Sequence, residues 1–75
     1  MLTPLPSLPI GKTATIGKMK IKDGDTLNRL KQLNLRLGVA VKIIQADPGY
    51  PLLIGIGDAR VALNLDLAKR IYVVA

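Results

Sequence analysis

Between Lys12 and Lys22 the apolar positions run with a period of two, at Ala14 and Ile16, and change parity beyond Gly17 to Met19 and Ile21. A period of two marks a strand with one buried face. A phase change at a glycine marks a β-bulge or bend within that strand. The next apolar residues, Leu27, Leu30 and Leu33, recur at every third position. They predict one face of a short helix over roughly Thr26 to Leu33. Asp23-Gly24 reads as the turn ahead of it, and Asp25 has the side-chain oxygen an N-cap needs. Asn34 follows the leucine series. After glycine, asparagine is the residue that best tolerates the left-handed conformation closing a helix. With Asn34 in that place, Leu35 stands where a Schellman motif returns an apolar contact, here to Leu30.

Alternation then resumes. Gly38 predicts a tight turn, and Val39, Val41 and Ile43 predict a strand facing inward with Lys42 outward. The segment Ala46 to Pro51 contains Pro48-Gly49 and reads as a hairpin loop. Tyr50 at its tip has two readings, an exposed interface anchor or a ring lying down on the domain. Leu52, Ile54 and Ile56 point inward in the next strand, with Gly55 and Gly57 leaving a bare backbone patch outside. Gly57-Asp58-Ala59 predicts a tight turn into a strand carried by Val61 and Leu63. Leu65 to Lys69 predicts one helical turn, and Ile71 and Val73 the inward face of a last strand. Ahead of all this, Pro4, Pro6 and Pro9 make residues 1–10 an extended lead-in. Pro6-Ser7-Leu8-Pro9 matches the bare PxxP pattern. An apolar arm with Leu5 and Leu8 tucked against the domain accounts for it more simply.

Composition narrows the chemistry. Seventy-five residues make one domain, residues 1–75. A chain of this size buries roughly 60% of the surface its unfolded form exposes. The only aromatic residues are Tyr50 and Tyr72, so the core is aliphatic. There is no Cys, His or Glu, which removes disulfides, thiolate and imidazole metal ligands, and the commonest general acid–base. Five scattered Asp residues are a poor substitute, so an enzyme and a metal carrier are both disfavoured, and no cofactor is expected. No apolar run is long enough to span a bilayer. The N-terminus lacks a basic region followed by an unbroken apolar stretch, so a signal peptide is not expected and a cytoplasmic location is the simplest reading.

Eleven Lys and Arg against five Asp give a formal charge of +6. Lys18, Lys20 and Lys22 fall together on the outer face of the first long strand. A solvated face that keeps the strand from pairing with neighbours is the weightier reading of that row, and a surface for an acidic partner is the other. Arg29 and Lys31 lie off the leucine face of the helix, and Lys31 in its last turn offsets the helix dipole. If the protein binds a partner, the surface is expected at Lys18, Lys20, Lys22, Arg29, Lys31 and Tyr50. Small basic β-domains also bind nucleic acid, but two tyrosines are too few for a stacking platform, and no nucleic acid is expected.

Arg29-Leu30, Leu33, Leu35, Gly38 and Val41 are similar to the Arg-Leu-x-x-Leu-Gly-Leu-x-x-Gly-x-x-Val signature of the FeoA family, ferrous iron transport protein A. Asn34 replaces the first glycine of that signature. Ala46, Gly49 and Pro51 match the family's Ala-Pro-x-Gly-Asp-Pro loop, from which Asp47, Pro48 and Tyr50 depart. Arg60, Ala62 and Leu63 resemble its Arg-x-Ala-Leu, and Ala68, Ile71 and Val73 its Ala-x-x-Ile-x-Val ending. The resemblance runs from about Leu5 to Val74. It implies a mainly β fold with one or two short helices, an SH3-like small β-barrel. It also implies a cytosolic accessory of ferrous iron uptake acting on FeoB, the membrane transporter with a GTP-binding cytosolic domain. Similar domains occur in metal-dependent repressors, so a metal-repressor-type regulatory domain or a basic nucleic-acid-binding module is the alternative. Transition metal binding is a family term for which no ligands are evident here. A homo-oligomer formed through exposed strand edges is compatible with the pattern.

Overall fold

The alternating segments become strands and the period-three segment becomes a helix in the computed structural model, which describes residues 1–75. The strands are β1 (Leu2–Pro4), β2 (Thr13–Met19), β3 (Ala40–Gln45), β4 (Leu52–Ile56), β5 (Ala59–Leu63) and β6 (Ile71–Val74). Helix α1 spans Gly24–Gln32 and α2 spans Leu65–Ala68. All pairings are antiparallel, and the strand order is β1-β6-β2-β3-β4-β5. No helix is long and apolar enough to cross a membrane.

The inward positions read from the alternation are the core. Ala14, Ile16, Val41, Ile43, Leu52, Ile54, Ile56, Leu63, Ile71 and Val73 are all buried, in one cluster with no buried polar side chain. The phase change at Gly17 is a register shift between Ile16 and Lys18 in the β2–β6 ladder. The glycine also answers a close approach, since a methyl group there would sit 2.6 Å from Leu2 Cδ2. Gly57 (φ 57) opens the two-residue turn joining β4 to β5. Only its first central residue has positive φ, which is the II′ arrangement that follows strand twist.

The closing turn of α1 matches the expectation in detail. Asn34 is left-handed at φ 68. The Leu35 N–H donates to the Leu30 carbonyl at 2.8 Å and the Asn34 N–H to the Lys31 carbonyl at 3.0 Å. These are the two bonds of a Schellman motif, and Leu30 and Leu35 are both buried.

Other expectations need correcting. The N-cap is Asp23, not Asp25, which lies inside the first turn. Leu33 does not share the buried face: it is 44% exposed. At 100° per residue, each step of three falls 60° short of a full turn, and the third leucine has rotated off the core. Gly55 is not bare, because the Ile44 side chain lies over it, 3.1 Å from where a methyl would stand. The N-terminal segment is more than an extended lead-in. Residues 2–4 pair with β6, and Leu5–Ser7 form a 3-10 turn, with Leu5 and Leu8 buried as expected. Proline within the first turn pre-sets φ for such a helix.

Candidate functional site

An open groove of about 870 Å³ lies between α1 and the segment that runs from the end of β5 through α2. Helix α1 supplies one wall through Thr26, Arg29 and Leu30, with Leu33 at its end. Ala62, Leu63, Asn64, Asp66 and Leu67 supply the other, and Lys20, Ile21, Lys22 and Arg70 close one side. Local structure fixes each wall. The Asn64 side chain caps α2 by accepting the Asp66 N–H at 2.7 Å. The Lys20 N–H donates to the Arg70 carbonyl at 2.8 Å, which ties the end of β2 to the entry of β6.

The groove combines an apolar floor with a charged rim. Ile21, Leu30 and Leu63 are buried beneath it, and Leu33 stands exposed within it. Lys20, Lys22, Arg29 and Arg70 outnumber the carboxylates Asp23 and Asp66. The Lys20 ammonium also sits 5.0 Å from the centre of the Tyr72 ring, a cation–π contact. The Thr26 hydroxyl, donating to Asp23 Oδ2 at 2.6 Å, holds the Asp23 carboxyl below its ordinary value of 3.8. Backbone N–H groups of Asp25 and Thr26 and the Arg29 charge act in the same direction.

A carboxyl with a depressed folded-state pKa lends stability that is present above its unfolded value. That stability is lost as pH falls through the lower folded value. Thr26→Val is therefore expected to be less stable than the parent above the ordinary carboxyl value of 3.8 and to converge with it as pH falls through the lower folded value. Urea midpoints measured across that window check this. A gap that stays constant with pH would assign the effect to packing instead.

The expected partner-binding residues do not all meet. Lys20, Lys22 and Arg29 line the groove. Lys18 is exposed on β2, in register with Tyr72. Lys31 lies beside a separate depression of about 400 Å³ with Met19, Leu27, Leu35, Arg36 and Leu37. Tyr50 is 67% exposed at its loop tip, next to Asn64, which also borders the main groove. Arg70 and Leu67 complete the groove without a sequence signal of their own, and Leu33, expected on the buried helix face, stands in it instead. The five carboxylates stay dispersed, with no three gathered to hold a metal ion. The side chains present do not fit an iron or zinc site.

The FeoA domain family model matches residues 3–75. Comparison with curated proteins gives no match. Among solved structures, the FeoA of Stenotrophomonas maltophilia complexed with zinc is 31% identical at a TM-score of 0.77, over 99% of this chain and 89% of that one. It is described as a prokaryotic SH3 domain protein and a candidate ferrous iron transport activating factor. An iron uptake regulatory protein, also an FeoA, is 23% identical at a TM-score of 0.86, over 97% of this chain and 96% of that one. A manganese-dependent transcriptional repressor is 20% identical at a TM-score of 0.88, over 99% of this chain but 41% of the repressor. The last two, at such identities, show the fold alone. The fold is the SH3-like, mainly β arrangement with two short helices.

Proposed function

This chain belongs to the FeoA family, and from that premise we propose that it is a small accessory protein of ferrous iron uptake, acting in the cytoplasm by contact with the cytosolic side of a FeoB-like transporter. The family match over residues 3–75 carries the reading. The family is one of small accessory domains and not an enzyme class. The residue inventory supports a role by contact. Without His, Cys or Glu there is no nucleophile–base pair and no clustered ligand set for iron. The proposed contact surface is Lys20, Lys22 and Arg29 at the groove, with Lys18, Lys31 and the Tyr50 loop outside it.

The test is a titration against the isolated GTP-binding domain of the ferrous transporter from the same source, with a nucleic acid pool in parallel at several salt concentrations. Saturable binding to the domain is expected, weakened about tenfold by Tyr50→Ala, as for an exposed aromatic anchor. Lys20→Glu is expected to slow association and flatten its salt dependence. No binding to the domain, with nucleic acid affinity falling steeply with salt, would overturn the reading. A charge of +6 is the observation favouring that second role.

A further inference from the structure

The two edges of the sheet are unlike. β1 spans three residues and includes Pro4, which has no N–H to offer. β5 spans five residues without proline, and its ladder with β4 runs unbroken from Leu52↔Leu63 to Ile56↔Ala59. No backbone hydrogen bond outside the ladders and helices uses a β5 group, and no side chain bonds to it. Its outer N–H and C=O groups therefore face away from the sheet without a protein partner. Most natural edges are blunted by a bulge, a proline or inward charge, and Arg60 is the single charged residue of this one.

The free edge borders the groove. Ala62 and Leu63 both line it. These are the last two residues of β5, so the groove meets the strand at its C-terminal end. The same groove is lined by the cations Lys20, Lys22, Arg29 and Arg70 and the apolar side chains Leu33 and Leu67.

We infer that the groove takes an extended acidic segment of a partner protein as an added strand on β5, with one bulky aliphatic side chain seated against Leu33 and Leu67. The inference deepens the transporter reading by naming the chemistry of the segment recognised, and it rests on that reading for the partner's identity. Strand addition draws affinity from main-chain hydrogen bonds and specificity from pockets for alternate side chains. The edge supplies the first and the exposed Leu33 the second. The cation excess selects for carboxylates. A nucleic acid suits the groove less well, because its phosphates would meet Asp23 and Asp66, no aromatic side chain lines the walls, and a strand edge matches a peptide backbone. A second copy of the chain suits it less well too, since it would bring its own Lys20, Lys22, Arg29 and Arg70 against the first set.

The probe is a short synthetic peptide alternating Glu with Leu and Val, titrated into isotopically labelled full-length protein. Amide shifts are expected at Ala62, Leu63, Arg29, Leu33 and Arg70, with slowed exchange of the outward β5 amides. A matched peptide with Lys for Glu is expected not to bind. N-methylating the acidic peptide at alternate residues is expected to weaken it about tenfold in one parity and little in the other, which charge attraction alone does not produce. Arg29→Glu with Arg70→Glu is expected to lower affinity at least about tenfold while the amide spectrum stays folded. Equal binding of the Lys peptide, indifference to N-methylation in both parities, shifts confined elsewhere, no binding, or tighter binding of a single-stranded oligonucleotide at the same residues would each overturn the inference. The same double variant separates the two readings. If the transporter domain binds parent and variant alike, the groove is not the contact and the transporter reading stands. If the peptide binds as described while the transporter domain does not, the groove stands and the transporter reading falls.

Discussion

Leu35→Ala is expected to lower the unfolding free energy by about 3–5 kcal/mol, the upper part of the range for truncating a buried leucine. Two features put it there. Its side chain is 0% exposed, in the middle of the aliphatic core. Its backbone is pinned, because the Leu35 N–H closes α1 onto the Leu30 carbonyl while Asn34 holds the left-handed turn before it. A pinned backbone cannot settle into the space a missing isobutyl group leaves, and the cost of such a change rises with the cavity that remains. A domain of this size has a total stability of about 4–11 kcal/mol, so the loss is a large fraction of it. Chemical denaturation of the variant gives the value, and each kcal/mol lowers the melting temperature by about 4–8 °C. Leu37→Ala, at a position 64% exposed and two residues on, is the control and is expected within about 0.5 kcal/mol of the parent. A loss under about 1 kcal/mol at Leu35 would mean that the helix junction relaxes freely.

Removing residues 1–8 is expected to unfold most of the population. Leu5 is 0% exposed and Leu8 7%, and burying a leucine contributes about 1.5–3 kcal/mol. Two of them contribute about 3–6 kcal/mol, before the β1 pairing with β6 is counted. The truncation also uncovers Gly17, over which the Leu2 side chain lies. Far-UV circular dichroism and amide dispersion of the shortened chain are the measurements, with the Leu5→Ala, Leu8→Ala double variant in the full chain to separate core loss from edge exposure. A shortened chain that unfolds cooperatively at the parent's midpoint would reduce the segment to an appendage.

The strands were legible because a period of two is an integer, so an inward position at Val41 stays in phase at Ile43, and one at Leu52 stays in phase to Ile56. The helix was legible in its ending more than in its beginning. Asn34 has few conformations compatible with a following core leucine, whereas Asp23 and Asp25 both carry capping oxygens on either side of Gly24. What decides between them is the Leu27 N–H, which donates to the Asp23 carbonyl at 3.1 Å and sets the first turn. Leu33 leaves the buried face because a spacing of three drifts around a helix. The groove was legible only in part. Its cations at Lys20, Lys22 and Arg29 lie in one continuous stretch, but Leu67 and Arg70 reach them only through the sheet. A loop such as that of Tyr50 has no period to read, and the contact of Lys20, just past the end of β2, with Tyr72 of β6 joins segments distant in sequence.

The position of β6 has a consequence for how the molecule is made. It lies between β1 and β2 and pairs with both. The last strand of the domain to leave the ribosome is therefore the one its first two strands wait for. Until Ile71–Val74 emerge, β1 has nothing to pair with and β2 is an open edge. β2 to β5 can pair in chain order, but the sheet is completed only in a late step that brings β6 between β1 and β2. Topologies governed by such distant pairings fold slowly and expose unpaired edges while they wait. A nascent chain stalled before Ile71 would present those edges to chaperones and proteases until the final four-residue strand is in place.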